Sequence, residues 1–137
     1  MSTSTIASDA DRLRLTVPNH GDFVALARFA AGVAAVRAGF DIEEVQDLQL
    51  AVDEMYASSG ALRNQGDTTI EILRSNSEVS ISLSFDPISE SPSKLERRAS
   101  QDQELSLQLL SALVDEHGSS TDDQGSPRVW LRKSHLS

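Results

Sequence analysis

The chain has 137 residues, no cysteine, and 12 Lys+Arg against 21 Asp+Glu, a formal net charge of −9. Its length suits one domain, and the lack of cysteine excludes a disulfide scaffold, a thiolate metal site and thiol catalysis. The negative charge opposes non-specific binding to nucleic-acid phosphates and favours a protein partner with a basic face.

No apolar run approaches the ~18 residues of a membrane span. The N-terminus has no basic segment followed by an apolar block, so the expected location is the cytoplasm.

In chain order, residues 1–11 are small and polar and read as a flexible tail ahead of a single domain over 12–134. Leu13, Leu15 and Val17 alternate with Arg12, Arg14 and Thr16, which predicts a strand stopped by Pro18. Asp22 is placed to cap a helix from Phe23 to Ala38, rich in alanine and closed by Gly39. Asp41 opens a second helix, with Ile42, Val45, Leu48, Val52 and Met55 as its apolar stripe and Glu43, Glu44, Asp47 and Asp53 largely outside it.

Residues 68–73 and 78–85 predict a hairpin turned at Ser75-Asn76-Ser77. Residues 86–102, polar and holding Pro87 and Pro92, read as a long loop of the kind that covers binding sites. A third helix is expected over Glu104–Glu116, with Leu105, Leu109, Leu110, Leu113 and Val114 apolar. A loop or weak strand at 118–126 and a last strand at Arg128–Lys133 follow. The economical packing is an α+β two-layer sandwich: a mixed, mostly antiparallel sheet covered on one face by about three helices.

Few residues suggest chemistry. Asp53 and Glu54 lie mid-helix, where a glutamate beside a cleft can polarise a nucleophile and where most carboxylates are simply solvated. His20, His117 and His135 have no metal-ligand spacing and read as surface or loop residues. Trp130 either packs on a sheet face or marks a partner contact. There is neither a G-x-S-x-G nor a G-x-x-x-x-G-K-[ST] motif, and no glycine between Gly66 and Gly118 to let backbone amides approach a polyphosphate.

Three stretches, in this order and spacing, resemble the anti-sigma factor serine kinases, a branch of the histidine-kinase-like ATPase fold. They are L-Q-L-A-V-D-E-M-Y-A-S at Leu48–Ser58, L-S-L-Q-L-L-S-A-L-V-D-E at Leu105–Glu116, and R-V-W-L-R-K at Arg128–Lys133. The resemblance covers roughly Leu13–Lys133. It implies that Glu54 holds the position of the catalytic glutamate. Ser58 stands where the family has a Mg²⁺-binding asparagine, and Asp86 is a remnant of the adenine-binding aspartate.

Ser58 is a shorter and poorer metal ligand than asparagine. Both glycines after Asp86 are gone, and Gln101–Ser106 replaces the glycines before the third helix with Q-D-Q-E-L-S. Asp102 and Glu104 there would repel phosphate. The expectation is therefore an anti-sigma factor with a degraded ATP site. It sequesters an alternative sigma factor, acts as a homodimer, and is regulated by an anti-anti-sigma partner. No cofactor is expected, Mg-ATP being what a working site would take. The alternative is an ATP-dependent serine kinase that phosphorylates the anti-anti-sigma factor.

Overall fold

A computed structural model describes residues 10–63, 66–86 and 94–136. The elements are β1 (Ala10–Pro18), α1 (Gly21–Arg37), α2 (Ile42–Ser59), a 3-10 turn (Ala61–Arg63), β2 (Asp67–Ser75) and β3 (Glu78–Phe85). They continue with α3 (Lys94–Leu113), β4 (Glu116–Thr121) and β5 (Pro127–Ser134). The five strands form one sheet in the order β1-β2-β3-β5-β4, and every pair is antiparallel. The sandwich expected from the sequence is present, with a fully antiparallel sheet where a mixed one was allowed for.

The period-2 pattern decides which way the sheet faces. Ile70 and Ile72 of β2, Val79, Ile81 and Leu83 of β3, and Leu131 of β5 are buried under the helices. Leu48, Ala51, Val52 and Met55 of α2 meet them, as do Ala27, Ala31, Ala34 and Ala35 of α1. The alanines let α1 approach closely. At Gly32 a β-carbon would stand 2.6 Å from Gln49 Nε2 of α2, so the end of the Gln49 side chain lies against bare backbone of α1 there.

Local boundaries correct several expectations. β1 begins at Ala10 and includes Asp11, which was assigned to the tail; residues 1–9 lie outside the described residues. Asp11 is held in the strand by Arg37 and Arg74. His20, not Asp22, caps α1: its Nδ1 accepts the Asp22 N–H at 3.1 Å. Asp41 caps α2 as expected, in a capping box with Glu44, and Gly60 closes α2 in the left-handed region at φ 72°. Glu44 is buried, whereas Ile42, assigned to the core stripe, is exposed.

The expected loop over 86–102 is largely helix, because α3 starts at Lys94; residues 87–93 lie outside the described residues. After Pro92 no breaker stands in K-L-E-R-R-A-S-Q-D-Q-E-L, and most of those residues are strong helix formers. α3 ends at Leu113, and Glu116 already starts β4, which then pairs with β5. Leu110 is buried, while Leu105 and Leu109 are exposed, so a narrower stripe of α3 meets α2 than its leucines suggested.

Candidate functional site

α2 presents the carboxylates and hydroxyls singled out in the sequence. Its inner face is fixed by Leu48, Val52, Met55 and Tyr56, and its flank is tied to α1 by Arg28 Nε, 3.0 Å from Asp53 Oδ1. Gln49 Nε2 donates to the Arg28 carbonyl at 3.4 Å. Glu54 and Ser58 are one helical turn apart on this anchored helix. Glu54 is half-buried, and its side chain makes no hydrogen bond or ion pair with the described residues. Asp86 directly follows β3 and is exposed.

Ser58 lines a hollow of about 320 Å³ between the helices and the sheet edge. Its other walls are Leu107 and Leu110 of α3, His117, Gly118 and Ser119 of β4, and Val129 and Trp130 of β5. Glu54 and Asp86 do not line this hollow, so it gathers one of the three site residues expected from the sequence.

The donor set around Ser58 does not fit Mg²⁺ with a triphosphate. Its hydroxyl donates to the Met55 carbonyl at 3.3 Å, and leucines face it. Among the described residues there is no group of three or more His, Cys, Asp or Glu that could hold a metal.

His117 was read as an isolated surface residue. In the structure its Nε2 lies 2.7 Å from Ser111 Oγ. Ser111 Oγ also lies 3.1 Å from the Leu107 carbonyl, so the direction of the bond to the imidazole follows the His117 tautomer. The pair ties β4 to α3.

Tyr56 is buried, its hydroxyl has no hydrogen-bond partner among the described residues, and burial pushes its pKa up to about 12. Burial alone would raise the Glu44 carboxyl. Donors from the Asp41 and Leu136 backbones and from His135 outweigh it and hold the group at about 2.

The outer face of α1 is apolar, within the Asp22–Arg37 region that the family resemblance implied, with the sheet edge, for dimer or sigma contacts; which of its residues stand outward was not legible in the sequence. Leu26, Phe29, Val33 and Val36 recur at three- and four-residue spacing and point to solvent, Phe29 at 68 % and Val36 at 66 % exposure. Beside them a hollow of about 430 Å³ opens between β1, α1 and β2, lined by Leu13, Val33, Ala34 and Ile72 with Asp11, Arg37 and Arg74 also in its wall. Exposed apolar stripes of this kind occur at protein, ligand or membrane contacts. A helix apolar all round gives no periodic signal, which is why the sequence did not separate its inner face from its outer one.

No protein-family model and no curated protein matches the chain. Among solved structures, it is similar to a chain in the crystal structure of the SiaB–SiaC complex from Pseudomonas aeruginosa. The TM-score is 0.57 at 16 % identity, covering 97 % of this chain and 94 % of that one. At that identity the likeness establishes a shared fold. No helix among the described residues is long and apolar enough to cross a membrane.

Proposed function

We propose that this chain is an anti-sigma factor on a histidine-kinase-like ATPase scaffold. It sequesters an alternative sigma factor, works as a homodimer, and is released by an anti-anti-sigma partner. The observation that carries this reading is the exposed stripe Leu26, Phe29, Val33 and Val36 on α1. A soluble domain gains by covering such a surface, since each large apolar side chain buried is worth roughly 1.5–3 kcal/mol. The edge strand β1 runs beside it, so one protein contact can use backbone pairing and apolar packing together. The acidic side chains Glu43 and Asp47 on α2 complement a basic partner. The fold neighbour comes from a structure of two proteins in complex.

The test is run-off transcription with RNA polymerase and each alternative sigma factor of the source genome, with and without the purified chain. Repression of one sigma factor, lost in Phe29→Glu, is the expected result. Absence of repression for every sigma factor overturns the reading.

One observation favours the kinase alternative. Asp53 is occupied by Arg28, while the Glu54 side chain is held by no described residue. Under that reading Glu54 is the base, Ser58 the metal ligand and Asp86 the adenine contact, with Mg-ATP as cofactor. Calorimetry with Mg-ATP separates the two: a scaffold binds it more weakly than ~1 mM, and a micromolar constant returns the chain to the kinases.

A further inference from the structure

The sheet face turned away from the helices gathers arginines, balanced in part by Glu71, Glu78 and Glu116, in a chain that is acidic as a whole. Strand register places Arg14, Glu71, Ser82, Trp130 and Gly118 in one row across all five strands. The row on one side is Arg12, Leu73, Ser80, Arg132 and Glu116, and on the other Thr16, Thr69, Ser84, Arg128 and Ser120. Four of the 12 cationic side chains of a −9 protein therefore share this face.

Two of the four are neutralised in place. Arg12 Nη2 lies 2.9 Å from Glu71, and Arg132 lies 3.3 Å from Glu78 and 3.0 Å from Glu116. Arg14 and Arg128 are exposed, and neither has an ion pair among the described residues.

Beside Arg128 lies a groove of about 280 Å³, whose walls include Leu73, Ser82, Trp130, Arg128, Arg132 and Glu71, the last held by Arg12. Trp130 is set in place by Gly118 on the edge strand: a β-carbon there would stand 2.7 Å from the indole Cζ2, so the ring lies against bare backbone. The helix-covered face needs no such arrangement, because its side chains are already buried against α1 and α2.

We propose that this open face is a second docking surface, for an acidic segment of a protein partner that seats one apolar side chain against Trp130 and Leu73 and its carboxylates on Arg14 and Arg128. The backbone positions of Arg14 and Arg128 stand roughly 14 Å apart across the strands and 7 Å along them. Two separated cations suit single carboxylates spread along a peptide better than the continuous charge of a nucleic-acid backbone, because Glu71, Glu78 and Glu116 occupy Arg12 and Arg132 and leave no unbroken cationic track. The surface is distinct from the α1 stripe and does not depend on the sigma-factor reading.

Trp130 is the chain's only tryptophan, and because it also lines the Ser58 hollow, the Arg14→Glu/Arg128→Glu variant assigns an emission change to this face. The full chain is titrated with a short synthetic peptide of Glu and Ser around one central Leu, with the same peptide carrying Gln for Glu, and with oligothymidylate. A saturable change in Trp130 emission with the Glu peptide is expected. It should weaken about tenfold at high salt and vanish in Arg14→Glu/Arg128→Glu, with the melting temperature of that variant unchanged. No emission change at millimolar Glu peptide overturns the proposal, as does equal binding of the Gln peptide. Tighter binding of oligothymidylate overturns it in favour of a nucleic-acid surface.

Discussion

Asp11 at the start of β1 accepts from Arg74 Nε of β2 at 2.6 Å, and the guanidinium it meets is 6 % exposed. The same carboxylate takes Arg37 at the end of α1 through two bonds, at 2.5 and 3.1 Å. One acid thus joins the first strand, the first helix and a buried cation, and residue 11 belongs to the folded domain.

Asp11 should make the fold acid-sensitive. Hydrogen bonds from Arg37 and then Arg74 hold its carboxyl far below the ordinary 3.8. A depressed acid contributes stability that is complete above its unfolded value and is lost as pH falls below it. Asp11→Asn is expected to destabilise the chain at neutral pH, with the gap from wild type narrowing below about pH 4. Urea melts at pH 7 and pH 3 check this, and an equal gap at both would contradict it.

Glu44 anchors the far end of the chain. It accepts from Leu136 N at 2.8 Å and from the Asp41 N–H at 2.9 Å, and it meets His135 Nδ1 at 2.6 Å, while Phe40 stacks on that imidazole. Glu44→Ala removes half of the capping box and the anchor of residues 135 and 136. A loss of about 1–2 kcal/mol is expected, read by chemical denaturation. Glu43→Ala next door should be near neutral, because Glu43 is exposed.

Leu83→Ala should cost roughly 2–5 kcal/mol, since the side chain is fully buried at the centre of the sheet. Leu109→Ala should cost well under half of that, because Leu109 lies on the open side of α3. Midpoint shifts of the two variants compared side by side decide the matter.

These contrasts show where the sequence was legible. Strict alternation in V-S-I-S-L-S-F can bury only one side, so β3 and its inward residues were readable directly. The leucines of α3 recur too densely to pick a face, and α1 is apolar on both faces, so burial there depended on neighbours the sequence does not reveal. Glu44 lies outside the apolar stripe in the sequence, and its burial was not legible because its partners, His135 and Leu136, lie 91 and 92 residues away. Of the expected site, Ser58 reaches a hollow while Glu54 and Asp86 do not line it; helix spacing foretold only that Glu54 and Ser58 share a flank.

Gly118→Ala is a direct test of how Trp130 is seated. The new methyl would fall 2.7 Å from Cζ2 and 2.9 Å from Cε2, closer than real contacts allow, so the indole must move. Emission should shift and the melting temperature should fall. An unchanged emission maximum would mean that the ring does not lie against β4 in solution.

The last prediction concerns how the acidic helix meets a sigma factor under the proposed function. Opposite charges steer an encounter over long range, and salt screens them beyond ~8–10 Å near physiological ionic strength. Steering acts on association far more than on dissociation. Glu43 is exposed and Asp47 half-buried on α2, one turn apart, whereas Glu44 between them is tied to His135 and cannot serve as a charge probe. Glu43→Lys/Asp47→Lys should therefore slow association with the sigma factor and flatten its salt dependence, with dissociation nearly unchanged. Stopped-flow mixing at two salt concentrations measures both rates. A wild-type association rate that ignores salt would assign the contact to the apolar stripe of α1 alone, where Phe29→Glu should then act by speeding dissociation.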